Sequence, residues 1–145
     1  MMTMQHSRLG PWINRLVLAA ATVIFTAIGF RYTADPVGAA AATGAALNTA
    51  FAITTTRIGF GAFPLSFALF SFYCLLSTQR LRTGVSLVAT VLATAILVRL
   101  ISTAADGAAP QSVRLFIPEA AILLLSIGGL VLSGSKSTLA KGGVA

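Results

Sequence analysis

A chain of 145 residues in which 57% are hydrophobic and only 9% are charged is not built for water, since a soluble domain carries about a quarter charged residues. Ten Lys and Arg against three acids give a net charge of +7, yet the basic residues stand singly between apolar runs, with no basic cluster and no interleaved aromatics, which excludes a nucleic-acid partner. With one cysteine (Cys74) and one histidine (His6), neither an intramolecular disulfide nor a Cys/His zinc or haem site can be assembled, so no metal and no cofactor are expected.

The first apolar run, LVLAAATVIFTAIGF from Leu16 to Phe30, is free of charge, preceded by Trp12 and Arg15 and followed by Arg31 and Tyr32. With the flanking aromatics it gives a span over 12–31, about 20 residues, enough to cross a hydrocarbon core of ~30 Å at 1.5 Å per residue. A cleaved signal peptide is the competing reading: Arg8 and Arg15 would form its basic region, and the small residues after Val37 would host cleavage. Aromatics at both ends favour a retained span.

Residues 33–56 are too polar and too rich in small residues for a span. They read as an extracytoplasmic loop or an interfacial helix, with Asp35 and Pro36 as the helix start signal. The second span covers 58–77, bounded by Arg57 and by Arg80 and Arg82. Pro64 should kink it, because its ring clashes with the preceding turn and it has no N–H to donate. The third and fourth spans cover 83–102 and 115–132, and 134–145 read as a disordered tail. The expected fold is therefore an all-α membrane protein, a four-transmembrane-helix bundle forming a single membrane domain over 1–145.

Threading four helices puts Arg8, Arg15, Arg80, Arg82, Lys136 and Lys141 on one side with no acid. Arg31, Arg57, Arg99 and Arg114 fall on the other side with Asp35, Asp106 and Glu119. The positive-inside bias places both termini in the cytoplasm. The expected location is the bacterial inner (cytoplasmic) membrane, crossed several times.

Arg99 then falls about one turn below the outer surface if the third helix ends near Ser102, and Glu119 about one turn below it if the fourth begins near Leu115. A charge in hydrocarbon costs a few kcal/mol, and a guanidinium holding a carboxylate by two parallel hydrogen bonds offsets that cost. An Arg99–Glu119 pair facing the bundle interior is expected. Arg57 joins them as a candidate ligand-binding residue, because Gly59 and Gly61 beside it would let a ligand or backbone approach. Asp106-Gly107 has the chemistry of a tight turn that could orient Arg99 or Arg114, and Pro118-Glu119 suits the first turn of a helix. Each residue also has a plain structural role open to it: snorkelling for Arg99, a helix end for Arg57, a turn for Asp106, a cap for Glu119.

Small residues recur at helical spacing, Ser86, Ala89, Thr90, Ala93 and Thr94 in the third run and Gly129 and Ser133 in the fourth. Such faces allow close helix packing and need no cofactor. The nine phenylalanines read as filling lipid-facing and inter-helix space.

The order RIGFGAF, RLRTG, VRLISTAADG and IPEAAILLL, between Arg57 and Leu125, resembles an uncharacterised family of short bacterial four-span inner-membrane proteins of unknown function. The resemblance implies a four-helix inner-membrane bundle with Arg57, Arg99, Asp106 and Glu119 at the family's polar positions, and it supplies no activity. The alanine-rich stretch 33–56 departs from it.

Three functions fit these residues. The first is binding of a lipid-soluble small molecule, or of a partner membrane protein or second copy, at a polar site of Arg57, Arg99 and Glu119, with membrane lipid as the constant neighbour. The second is a membrane-embedded isomerase or cyclase using Glu119 or Asp106 as general acid or base. The third is a structural or assembly subunit of a membrane complex. A monomeric transporter is disfavoured by the absence of an inverted repeat and of membrane-depth charge in the cytoplasmic half of the spans. No Ser-His-Asp set, P-loop or dinucleotide fingerprint is present.

Overall fold

Lipid offers the backbone no hydrogen-bond partner, so a chain this apolar must satisfy its own amides, and it does so by helix. The computed structural model describes the backbone of residues 6–106 and 110–139 and the side chains of 9–105 and 116–134. Six α-helices, α1 (His6–Ala34), α2 (Pro36–Ala41), α3 (Ala50–Thr56), α4 (Phe63–Leu75), α5 (Leu81–Asp106) and α6 (Pro110–Leu139), are joined by a π-helical stretch, Arg57–Ala62, between α3 and α4. No strand occurs among the described residues.

Among the described residues four helical runs are long and apolar enough to cross a membrane: Leu9–Ala34, Ala50–Leu75, Leu81–Ala105 and Phe116–Gly134. The all-α membrane fold is therefore present. The helices are longer than the spans read from the sequence. The second starts at Ala50 rather than 58, because the Thr49 hydroxyl accepts from the Ala52 N–H at 3.1 Å and caps it. The last turns of residues 33–56 thus belong to the second crossing. The helix start at Asp35-Pro36 is present: Asp35 Oδ1 accepts from the Gly38 N–H at 2.9 Å, with Pro36 in the first turn of α2. Gly44, with φ +84°, turns the chain afterwards, a conformation that glycine adopts without a Cβ penalty. Residues 134–139, read as tail, continue α6 as helix. Residues 140–145 lie outside the described residues.

The π-helical stretch, Arg57–Ala62, ends just short of Pro64, with Phe63 between them. Proline cannot donate to the preceding turn, and its ring crowds that turn's carbonyl. The chain widens, and the Phe63 N–H reaches back to the Ile58 carbonyl, five residues away.

The chain divides into two compact units, residues 1–18 with 74–145, and residues 19–73. In the first, Leu18, Leu81, Val85 and Val88 are buried. A Cβ on Gly84 would lie 2.6 Å from Cys74 Cβ and 2.9 Å from Leu18 Cδ2, so these side chains pack directly onto the α5 backbone. Gly129 and Ser133 of α6 serve the close packing expected of them, against α1. Asn14 Nδ2 donates to Ser133 Oγ at 3.0 Å, and a Cβ on Gly129 would strike Asn14 Oδ1. On α5, however, Ser86, Thr90, Ala93 and Thr94 face outward. The packed face is instead Leu81, Gly84, Val85 and Val88. Thr90 Oγ1 donates to the Ser86 carbonyl at 2.9 Å, so its hydroxyl is satisfied within its own helix and needs no partner.

In the second unit, the C-terminal part of α1 meets the π-helical stretch and α4. A Cβ on Gly29 would lie 2.6 Å from Leu65 Cγ and 2.8 Å from the Gly61 carbonyl. The rings of Phe25 and Phe67 pack with centroids 5.8 Å apart.

Substituting Gly84→Ala should destabilise the protein in detergent by about 1–3 kcal/mol, as overpacking does. Gly128, with open space around its missing Cβ, should tolerate alanine or gain up to about 1 kcal/mol from helix propensity. Thermal unfolding of the two variants side by side checks both.

Candidate functional site

Arg99 projects from α5 and Glu119 from α6, two helices packed along each other in the first unit. Arg99 Nε donates to Glu119 Oε2 at 3.0 Å, and Nη2 donates to Oε1 at 2.6 Å. This is the parallel fork that a guanidinium and a carboxylate form best. The two side chains are 25% and 22% exposed, so the pair is neither sealed in a core nor freely solvated. The expected ion pair is present.

Its setting differs from the one read in the sequence. Helix α5 continues to Asp106, so Arg99 lies about 10 Å along the axis from that end at 1.5 Å per residue. Helix α6 starts at Pro110, which puts Glu119 about 14 Å into it. Both helices are extended by similar amounts, which keeps the two residues level. Pro110 is the reason on α6, since a proline suits the first helical position where an N–H would go unused. Pro118 consequently lies inside the helix, and Glu119 is no helix cap. Asp106 is the last residue of α5 in its backbone, rather than part of a turn above the pair. Gly107 and the side chains of Asp106 and Arg114 lie outside the described residues.

Arg57 belongs to the second unit. It lies inside the second long helix, as the first residue of the π-helical stretch, and does not open that helix. Its Nε donates to the Thr33 carbonyl at 3.1 Å. Gly59 beside it has open space around its missing Cβ, whereas a Cβ on Gly61 would lie 2.5 Å from Thr33 Oγ1. One of the two glycines is thus spent on helix packing and the other is free. Among the described residues no three His, Cys, Asp or Glu side chains gather.

Sequence reading passed over Asn14. Its side chain is 1% exposed, and its Oδ1 is buried with no hydrogen-bond partner among the described residues. A signal existed, since an asparagine directly before Arg15 at the edge of an apolar run is unusual polar content for a span, and such residues bond across helices in lipid.

The shape of the Arg99–Glu119 fork makes arginine and lysine unequal there. Arg99→Lys keeps the charge and loses one of the two parallel bonds, so its stability in detergent should fall between wild type and Arg99→Ala, with the alanine variant down by about 1–3 kcal/mol. Thermal unfolding of the three proteins checks the order.

A family model described as Domain of unknown function (DUF4345) matches residues 13–134. The match is wider than the segment from Arg57 to Leu125 on which the resemblance rested. No curated protein matches, and no solved structure matches.

Proposed function

The chain belongs to the DUF4345 family, whose function is unknown, and from that premise we propose that it is a multi-pass protein of the bacterial inner membrane that binds a lipid-soluble small molecule at the Arg99–Glu119 pair. The observation that carries this reading is the half-open state of the pair. Arg99 spends Nε and Nη2 on Glu119, which leaves the N–H groups of Nη1 as donors. Beside the pair in sequence, Val98 and Leu100 on α5 and Ile117 on α6 are exposed apolar side chains. A strong donor beside apolar surface suits a molecule with a carbonyl or hydroxyl head and a hydrocarbon body. The positive-inside bias supports cytoplasmic termini, with the pair toward the opposite face.

A structural role is the second reading, favoured by the closure of the pair: two charges satisfied by each other can fasten α5 to α6 with no ligand at all. Such a subunit would present its exposed faces to a partner membrane protein. Catalysis by Glu119 gains less support, because both its oxygens already accept from Arg99 and proton transfer would have to break the fork. Asp106 remains a candidate by its place in the sequence.

Arg99→Ala, Glu119→Gln and the double variant separate these readings when purified from native membranes and compared for folded yield and for co-purifying small molecules by mass spectrometry. Ligand binding predicts a molecule present in wild type and depleted about tenfold or more in both single variants that still fold, tenfold being the effect of ~1.4 kcal/mol. If the singles lose stability, the double regains it, and no molecule accompanies wild type, the pair is a structural fastener.

A further inference from the structure

Arg99 is paired with a carboxylate, whereas among the described residues no carboxylate pairs with Arg57. Among the described residues of the second unit the only acid is Asp35, and its carboxylate is engaged in capping α2 through the Gly38 N–H. Arg57 is exposed, and its hydrogen bond among the described residues, from Nε to the Thr33 carbonyl at 3.1 Å, is to a neutral acceptor. That bond fixes the guanidinium against the end of α1 while the four N–H groups on its two Nη atoms stay available. A guanidinium held by its Nε edge presents its other edge as a ready fork for two oxygens of one anion.

The depth of this fork says which anion. The second long helix, Ala50–Leu75, has 26 residues, about 39 Å at 1.5 Å per residue, which exceeds a hydrocarbon core of ~30 Å. From Ile58 to Leu75 it carries no charge, and that part alone covers about 27 Å. Arg57 therefore falls at the hydrocarbon edge, from which a long side chain can reach outward to lipid phosphates. Tyr32 and Phe60 stack there with ring centroids 5.3 Å apart, the aromatic pairing typical of a membrane interface. Phe60 follows Arg57 by three positions, within one turn. Ile58 and Phe60 are exposed by 54% and 58%, and Gly59 between them adds open space. An uncompensated cation joined to an exposed apolar ledge matches an amphiphile with an anionic head.

We propose that Arg57, anchored on Thr33 and flanked by Tyr32 and Phe60, is a binding site for the phosphate headgroup of an anionic membrane lipid, whose acyl chains lie along the apolar ledge. The proposal uses none of the observations on the Arg99–Glu119 pair and stands or falls independently of them. The π-helical stretch that starts at Arg57 supports it: its extra residue per turn sets the register by which Arg57 meets Thr33 and Phe60 meets Tyr32.

The full chain, purified in nonionic detergent and reconstituted into nanodiscs of phosphatidylcholine with and without phosphatidylglycerol, tests this by native mass spectrometry of retained lipid. Wild type should retain phosphatidylglycerol over phosphatidylcholine by about fivefold, the effect of one arginine at an anionic surface. Arg57→Gln should lose that preference with unchanged helicity by circular dichroism, and Arg31→Gln, on the same unit, should keep it. Equal preference in wild type and Arg57→Gln overturns the proposal. So does displacement of the lipid by inorganic phosphate alone, which would assign the fork to a free anion, or a co-purifying protein lost in Arg57→Gln, which would assign it to a protein carboxylate. Should Arg57→Gln not fold, the thermal midpoint of wild type in detergent decides: a rise with phosphatidylglycerol and none with phosphatidylcholine is expected, and equal midpoints overturn the proposal.

Discussion

The two hydrogen bonds between Arg99 and Glu119 are the condition on which α5 and α6 can both lie in lipid with a charge at membrane depth. An isolated arginine or glutamate there costs a few kcal/mol. Two of them, level on neighbouring helices and joined fork to carboxylate at 3.0 and 2.6 Å, present a nearly neutral unit. The pairing therefore fixes which faces of α5 and α6 meet and at what register. The outward small-residue face of α5 and its buried face of Leu81, Gly84, Val85 and Val88 accord with that choice.

Away from the pair, close approach does the work that burial does in a soluble protein. Lipid tails are as apolar as the side chains they touch, so helices gain little by merely hiding leucines from them. Glycines answer this by letting neighbours come close: the side chains of Cys74 and Leu18 on Gly84, and the Leu65 side chain and the Gly61 carbonyl on Gly29. Polar groups are kept within the protein, as with Asn14 on Ser133 and the hydroxyls of Ser66, Thr90 and Ser126, each of which donates to a carbonyl one turn back. Many phenylalanines and leucines are left exposed, as suits side chains whose solvent is hydrocarbon.

The second long helix shows how one proline spreads its effect. Pro64 disturbs the hydrogen-bond ladder, the turn before it widens into the π-helical stretch Arg57–Ala62, and the widened turn carries Arg57 to Thr33 and Phe60 to Tyr32. A backbone adjustment thus positions a cation and an aromatic pair. The two arginines that sequence reading grouped in one polar site consequently have different partners among the described residues: Arg99 holds the Glu119 carboxylate and Arg57 holds the Thr33 carbonyl.

Much of the fold was legible in the amino-acid sequence because hydrophobic length and charge placement are local properties. Runs of apolar residues bounded by arginines gave four crossings, Asp35-Pro36 gave the start of α2, and the like depth of Arg99 and Glu119 gave their pair. Helix ends were less legible, since they turn on which of several capping residues wins: Thr49 and Pro110 start helices earlier than Arg57 and Leu115 indicated, and Pro118 with Glu119 became helix interior. Periodicity shows that a helix has a small-residue face but not which neighbour claims it, so the outward turn of Ser86, Thr90, Ala93 and Thr94 was decided by tertiary packing. The same holds for the buried Asn14, the free fork of Arg57 and the contrast between Gly59 and Gly61. Each depends on what a second helix brings within a few ångströms, and a sequence read one helix at a time carries no such distance.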